Sequence, residues 1–180
     1  VKGVLAQDGF NLEYVGAPFR SDKEIVSAAV SSCGAALQFA AQQLKSDRDV
    51  VTKAVQSDPF ALGFASDSLR ADAGVVLAAL RRDPAALALA DAKLFACADF
   101  MLAAIKLDAT AATYATSALL ADPEFRLKAK AANSFVLSWF ANTEHFPGLQ
   151  DPAGQQEFLK NSEQQELHEP QQQQPSPQQQ

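Results

Sequence analysis

No stretch of the 180-residue sequence approaches the roughly 18–20 uninterrupted apolar residues that a membrane-spanning helix needs. Cysteine is scarce. Cys33 and Cys97 are too few for a disulfide framework. Histidine is equally scarce, and His145 and His168 stand with no set of further ligands at metal-binding spacing. The eight glycines form no loop of the phosphate-cradling type. No serine or cysteine stands with a histidine in a nucleophile motif. A positive excess is also missing: 15 basic residues face 21 acidic ones, a formal charge of −6. That balance argues against a general nucleic-acid binder, which releases counterions through cationic surface. What is present is an apolar fraction of 48%, ordinary for a folded chain of one domain or a short run of repeats. The first residue is Val1 rather than Met, so the sequence reads as a fragment whose targeting cannot be judged. The expected location is intracellular and cytoplasmic.

What the sequence has in place of motifs is periodicity. From Leu12, steps of 25 residues give Leu37, Leu62, Leu87, Ala112 and Leu137. A second column is Tyr14, Phe39, Phe64, Leu89, Tyr114 and Trp139. A third is Val30, Val55, Leu80, Ile105 and Lys130, and a fourth is Phe19, Leu44, Leu69, Leu94 and Leu119. No insertion interrupts the register from residue 8 to residue 141, which marks a repeat architecture.

Each unit carries two helix-start signals. The first column is Asp8, Cys33, Asp58, Asp83, Asp108 and Asn133, and proline follows it at Pro59 and Pro84. The second is Asp22, Asp47, Asp72, Cys97 and Asp122. Asp or Asn at an N-cap accepts bonds from the orphan N–H groups of the first turn, and proline at the next position forfeits nothing. Each unit therefore reads as two short helices, about 9–17 and 23–31 in the first. Such helices are too short to persist alone and need neighbours. The second helix carries one apolar stripe, Val50, Val51, Ala54 and Val55. The first is apolar nearly all round, which predicts burial, with its aromatic column in the core. The expected fold is all-α: a right-handed-type α-solenoid of two-helix, 25-residue repeats.

The unit can be written Asp-x-x-Ala-Leu-x-Phe-Ala-x-x-x-Leu-(Arg/Lys)-x-Asp-(Lys/Arg)-(Glu/Asp)-(Val/Ile)-Val-x-x-Ala-Val. The run from Gly34 through Leu37, Phe39, Leu44 and Asp47 to Val51 follows it most closely, and 8–30 and 61–80 are similar. In these residues the chain resembles the repeat family called domain of unknown function 4116, over roughly residues 1–141. The resemblance implies tandem helical repeats. It supplies no activity, cofactor or catalytic residue. It decays late, where Cys97 replaces a cap aspartate and Arg126 and Lys130 replace apolar stripe residues.

The organisation expected along the chain follows. Residues 1–7 read as the end of a truncated preceding repeat. Residues 8–141 read as five full helical hairpins plus one further first helix. Polar Arg126 and Lys130 suit the outer face of a terminal unit, so 122–132 begins a cap. Residues 142–168 read as a loop and a capping helix. Residues 169–180, of glutamine, proline, serine and one glutamate, have no core-forming side chain and are expected to be disordered.

Candidate functional residues are correspondingly few. Cys33 and Cys97 occupy cap positions where a helix dipole favours thiolate, but a small residue tolerated in a degenerate cap explains them equally. Arg20, Lys45 and Arg70 form a basic column that fits an RNA or other polyanion reading, and equally a solvated surface of modest ion pairs. The variable columns containing Gln38 and, separately, Gln56, Arg81 and Lys106 are partner-binding candidates on a constant frame. No catalytic, cofactor or metal-binding residue is expected. The favoured function is a non-enzymatic scaffold for protein–protein interaction, with protein partners. The alternatives are polyanion binding and an accessory region of a larger enzyme. Residues 144–180 hold six acids and one base, so the low pI belongs to the end of the chain and not to the repeats.

Overall fold

The computed structural model describes residues 2–136. They belong to one compact unit, Val1–Trp139. The expected loop, capping helix and tail, and with them His145, His168, Leu137 and Trp139, lie outside the described residues.

Every described element is helical. Helix α1 spans Lys2–Gln7. A 3₁₀ helix, Gly9–Tyr14, then leads to one turn of α-helix, α2 (Ala17–Arg20), and to the ten-residue α3 (Lys23–Ser32). The same trio recurs as the 3₁₀ helix Gly34–Phe39, α4 (Gln42–Lys45) and α5 (Arg48–Ser57). It recurs again as Pro59–Phe64, α6 (Asp67–Arg70) and α7 (Ala73–Leu80). The fourth trio is Pro84–Leu89, a second 3₁₀ helix Ala92–Ala96, and α8 (Ala98–Leu107). The fifth is Ala109–Tyr114, α9 (Ser117–Ala121) and α10 (Pro123–Ala132).

This corrects the two-helix reading. The first helix of each unit is a six-residue 3₁₀ helix, and a separate one-turn helix follows it. The cause lies in the backbone. After each 3₁₀ helix the chain turns extended, as at Ala40 (φ −67, ψ 152) and Ala65 (φ −71, ψ 158). The next N–H then reaches into the preceding unit: Ala41 donates to the Arg20 carbonyl and Ser66 to the Lys45 carbonyl, both at 2.9 Å. Asp91 donates to the Arg70 carbonyl at 2.9 Å and Thr116 to the Phe95 carbonyl at 3.2 Å. A continuous helix would spend those N–H groups internally.

The cap columns behave as expected. Asp8, Asp58, Asp83 and Asp108 each accept a bond from the backbone N–H two residues on, and Asn133 accepts from Phe135. Asp22, Asp47 and Asp72 each accept two N–H bonds at the head of a long helix. Cys33 and Cys97 make no side-chain cap bond.

The long helices pack in chain order, α1 on α3, α3 on α5, α5 on α7, α7 on α8 and α8 on α10. Consecutive first 3₁₀ helices of the units pack likewise. Leu12, Leu37, Leu62 and Leu87 are buried between these layers, as are Val26, Val51, Val76 and Met101 along the stripe. Each such leucine contributes roughly 1.5–3 kcal/mol through burial. No polar or charged residue is buried among the described residues. In α10, Phe125 and Ala129 are buried while Arg126 and Lys130 are half-buried, in columns that earlier units fill with Val, Leu, Met or Ile.

Candidate functional site

Charge joins the first three units. Lys23 Nζ lies 2.7 Å from Asp47 and 3.1 Å from Asp49, and Arg48 Nε lies 3.2 Å from Asp72. The residue after one cap thus grips the cap carboxylate of the next unit. The Lys23 ammonium holds the Asp47 carboxyl below the usual carboxylate range, and the Val50 and Asp49 N–H groups add to this against the upward push of burial. For Asp72 burial acts upward most strongly, but the Val75 N–H, the Arg48 guanidinium and the Gly74 N–H together outweigh it, so its carboxyl also titrates low. Asp47 and Asp49 raise Lys23 above its ordinary value.

A depressed folded-state carboxyl stabilises the fold above its unfolded value and ceases to as pH falls through the folded one. Thermal stability is therefore expected to fall as pH drops below about 4. The Asp47→Asn and Asp72→Asn pair should flatten that fall. An unchanged acid slope in the double variant, followed by circular dichroism melting, would show that these carboxylates are not its source.

The basic column does not present a free cationic strip. Arg20 Nε donates to the Val15 carbonyl at 3.0 Å, and Arg70 Nη2 pairs with Asp67 at 2.6 Å. Arg20, Lys45 and Arg70 are all half-buried. Their shared position is explained by the carbonyls, which accept the bonds from the following unit; Phe95 serves there equally. Retention of the chain on heparin is accordingly expected to vanish at or below about 0.15 M salt, where exposed charges are already screened. Retention persisting well above that concentration would contradict this.

The partner-binding candidates separate onto two elements. Gln56, Arg81 and Lys106 are exposed at the C-terminal ends of α5, α7 and α8. Gln38 is half-buried on the 3₁₀ helix Gly34–Phe39. Cys33 is half-buried, Cys97 is exposed, and both thiols are free. No group of three or more His, Cys, Asp or Glu stands together among the described residues. No described helix is long and apolar enough to cross a membrane.

The aromatic column is where expectation and structure part. It is not core. Tyr14 is 80% exposed and Phe64 37%, while Phe39 and Tyr114 are half-buried. Phe10, Phe60 and Phe135, of a column the sequence reading passed over, are 44%, 47% and 78% exposed. Phe10 meets Phe39 of the next unit edge-on at 6.0 Å, and Phe95 meets Tyr114 at 5.3 Å. In Pro59–Phe64 the buried residues are Ala61 and Leu62, and Phe60, Gly63 and Phe64 face outward. A helix read as apolar nearly all round thus has one outer side that its neighbours do not cover.

An all-helical array whose three-part unit returns every 25 residues, held by neighbour packing and without a buried polar or charged residue among the described residues, is the class these features define. The chain belongs to the family described as Domain of unknown function (DUF4116), which matches residues 1–45 and 47–95. Each match spans nearly two 25-residue periods, and the second ends just before Cys97 replaces the Asp cap. No curated protein gives a significant match. No solved structure does either.

Proposed function

We propose that the recurring units stack as a right-handed-type α-solenoid, and that the chain serves as a non-enzymatic scaffold for protein–protein interaction. The observation that carries the second statement is the outward aromatic face of the 3₁₀ helices: Phe10 and Tyr14 on Gly9–Tyr14, Phe60 and Phe64 on Pro59–Phe64. Large apolar side chains concentrated on one outer face mark interaction surfaces, and aromatics supply the anchors of most protein interfaces. Packing in chain order and the unit-to-unit backbone bonds support the solenoid. The paired or carbonyl-bound state of Arg20 and Arg70 favours a protein over a polyanion as partner.

The test is affinity capture with the full 180-residue chain beside a variant carrying Phe10→Ser, Tyr14→Ser, Phe60→Ser and Phe64→Ser. The expected result is a protein that binds the parent chain directly when purified and binds the variant at least about tenfold more weakly, a loss of roughly 1.4 kcal/mol or more. The variant's helicity and melting temperature should stay close to the parent's. Equal binding by both chains would contradict the assignment of this face.

A further inference from the structure

Coupling between units is not uniform, and we infer that the array is built as two cooperative blocks that meet at the step from α7 to α8. Four features change together there. The ion pair fails, because Ala73 stands where Lys23 and Arg48 stand and Cys97 where Asp47 and Asp72 stand. The cap fails with it: Cys97 accepts no bond from the first turn of α8. The one-turn α-helix that leads into each of α3, α5, α7 and α10 becomes the 3₁₀ helix Ala92–Ala96. Finally, α7 ends at Leu80 after eight residues where α3, α5, α8 and α10 run to ten.

The side chains at the step agree. Phe100, Met101 and Ile105 fill positions that earlier units give to Ile25, Val26 and Val30, or Val50, Val51 and Val55. All three remain buried, so the apolar seal is kept. α7 and α8 approach closely over a shorter line than α3 and α5 do. What the step loses is the ion pair and the side-chain cap, while the backbone bond from Asp91 to the Arg70 carbonyl is kept at 2.9 Å. Near-neighbour terms set cooperativity in arrays of repeats, so a weak term divides the array. Residues through Leu80 then open and close as one block, and residues from Ala98 as another.

The experiment is native-state hydrogen exchange on the full chain carrying Leu62→Ala. Leu62 is fully buried in the third unit, with α5 in the unit before and α8 in the unit after. Exchange in α5 should rise by about thirtyfold or more, as truncating a buried leucine requires, while exchange in α8 changes by less than about threefold. Adding Ala73→Arg with Cys97→Asp restores the pair and the cap, and the rise should then reach α8. An equal rise on both sides of Leu62 in the first variant would overturn the two-block structure. So would a one-sided rise that the restored pair and cap leave unchanged.

Discussion

Leu62→Asp is expected to remove at least about 4 kcal/mol of stability and to melt the unit that holds it. Leu62 is wholly buried on the 3₁₀ helix Pro59–Phe64, between the corresponding helices Gly34–Phe39 and Pro84–Leu89. No polar or charged residue is buried among the described residues, so the core offers a carboxylate no buried polar side chain as partner. The aspartate must ionise without a partner, stay protonated at a cost, or unfold its surroundings to reach water. Because the units pack in chain order, the damage should be greatest in the same unit and the unit before it, and should fall off across the step from α7 to α8. Urea titration gives the magnitude, and hydrogen exchange gives the spread. Unchanged protection in α5, in the unit before Leu62, would contradict packing by neighbours.

Gly34→Ala is expected to destabilise by about 1–3 kcal/mol despite adding only a methyl group. A β-carbon there would press into the Ala54 carbonyl and lie 2.7 Å from Asp58 Cβ and 2.8 Å from Asp58 N. These are backbone or backbone-anchored atoms of α5 in the same unit and of the cap residue that follows it, so the 3₁₀ helix and the long helix must part. Gly63→Ala is the control with the opposite sign. Its β-carbon would meet only the Leu89 methyls at 3.6 Å, an ordinary contact. Reduced freedom of the unfolded chain should then stabilise it by about 0.4–1 kcal/mol. Equal effects of the two substitutions in denaturant melts would show that the close approach at Gly34 does not limit the packing.

Much of this architecture is legible in the residues. The 25-residue register of Leu12, Leu37, Leu62 and Leu87 marks positions that are all buried, and the aspartates flagged as caps accept the bonds expected of them. The alternation of base and acid in Asp22-Lys23 and Asp47-Arg48 also carried the ion-pair signal, but only a stacked neighbour turns it into a contact. What was not legible is backbone chemistry. Any residue can offer the N–H that Ala41 and Ser66 give to the unit before, so nothing in their side chains announces the break in the first helix. The aromatic column reads as core because the first helix is apolar nearly all round, yet Tyr14 and Phe64 lie on a side that no neighbour covers. Apolar composition alone does not say which side of such a helix meets its neighbours.

Adjacent units should be energetically coupled and distant ones should not, and double-mutant cycles on the intact chain measure the difference. Leu12→Ala with Leu37→Ala joins two packed units, whereas Leu12→Ala with Leu87→Ala joins two separated by a pair of intervening ones. The expected coupling energy is about 0.5 kcal/mol or more for the first pair, with additivity within roughly 0.3–0.5 kcal/mol for the second. Equal coupling in both pairs, or additivity in both, would contradict coupling between neighbours alone.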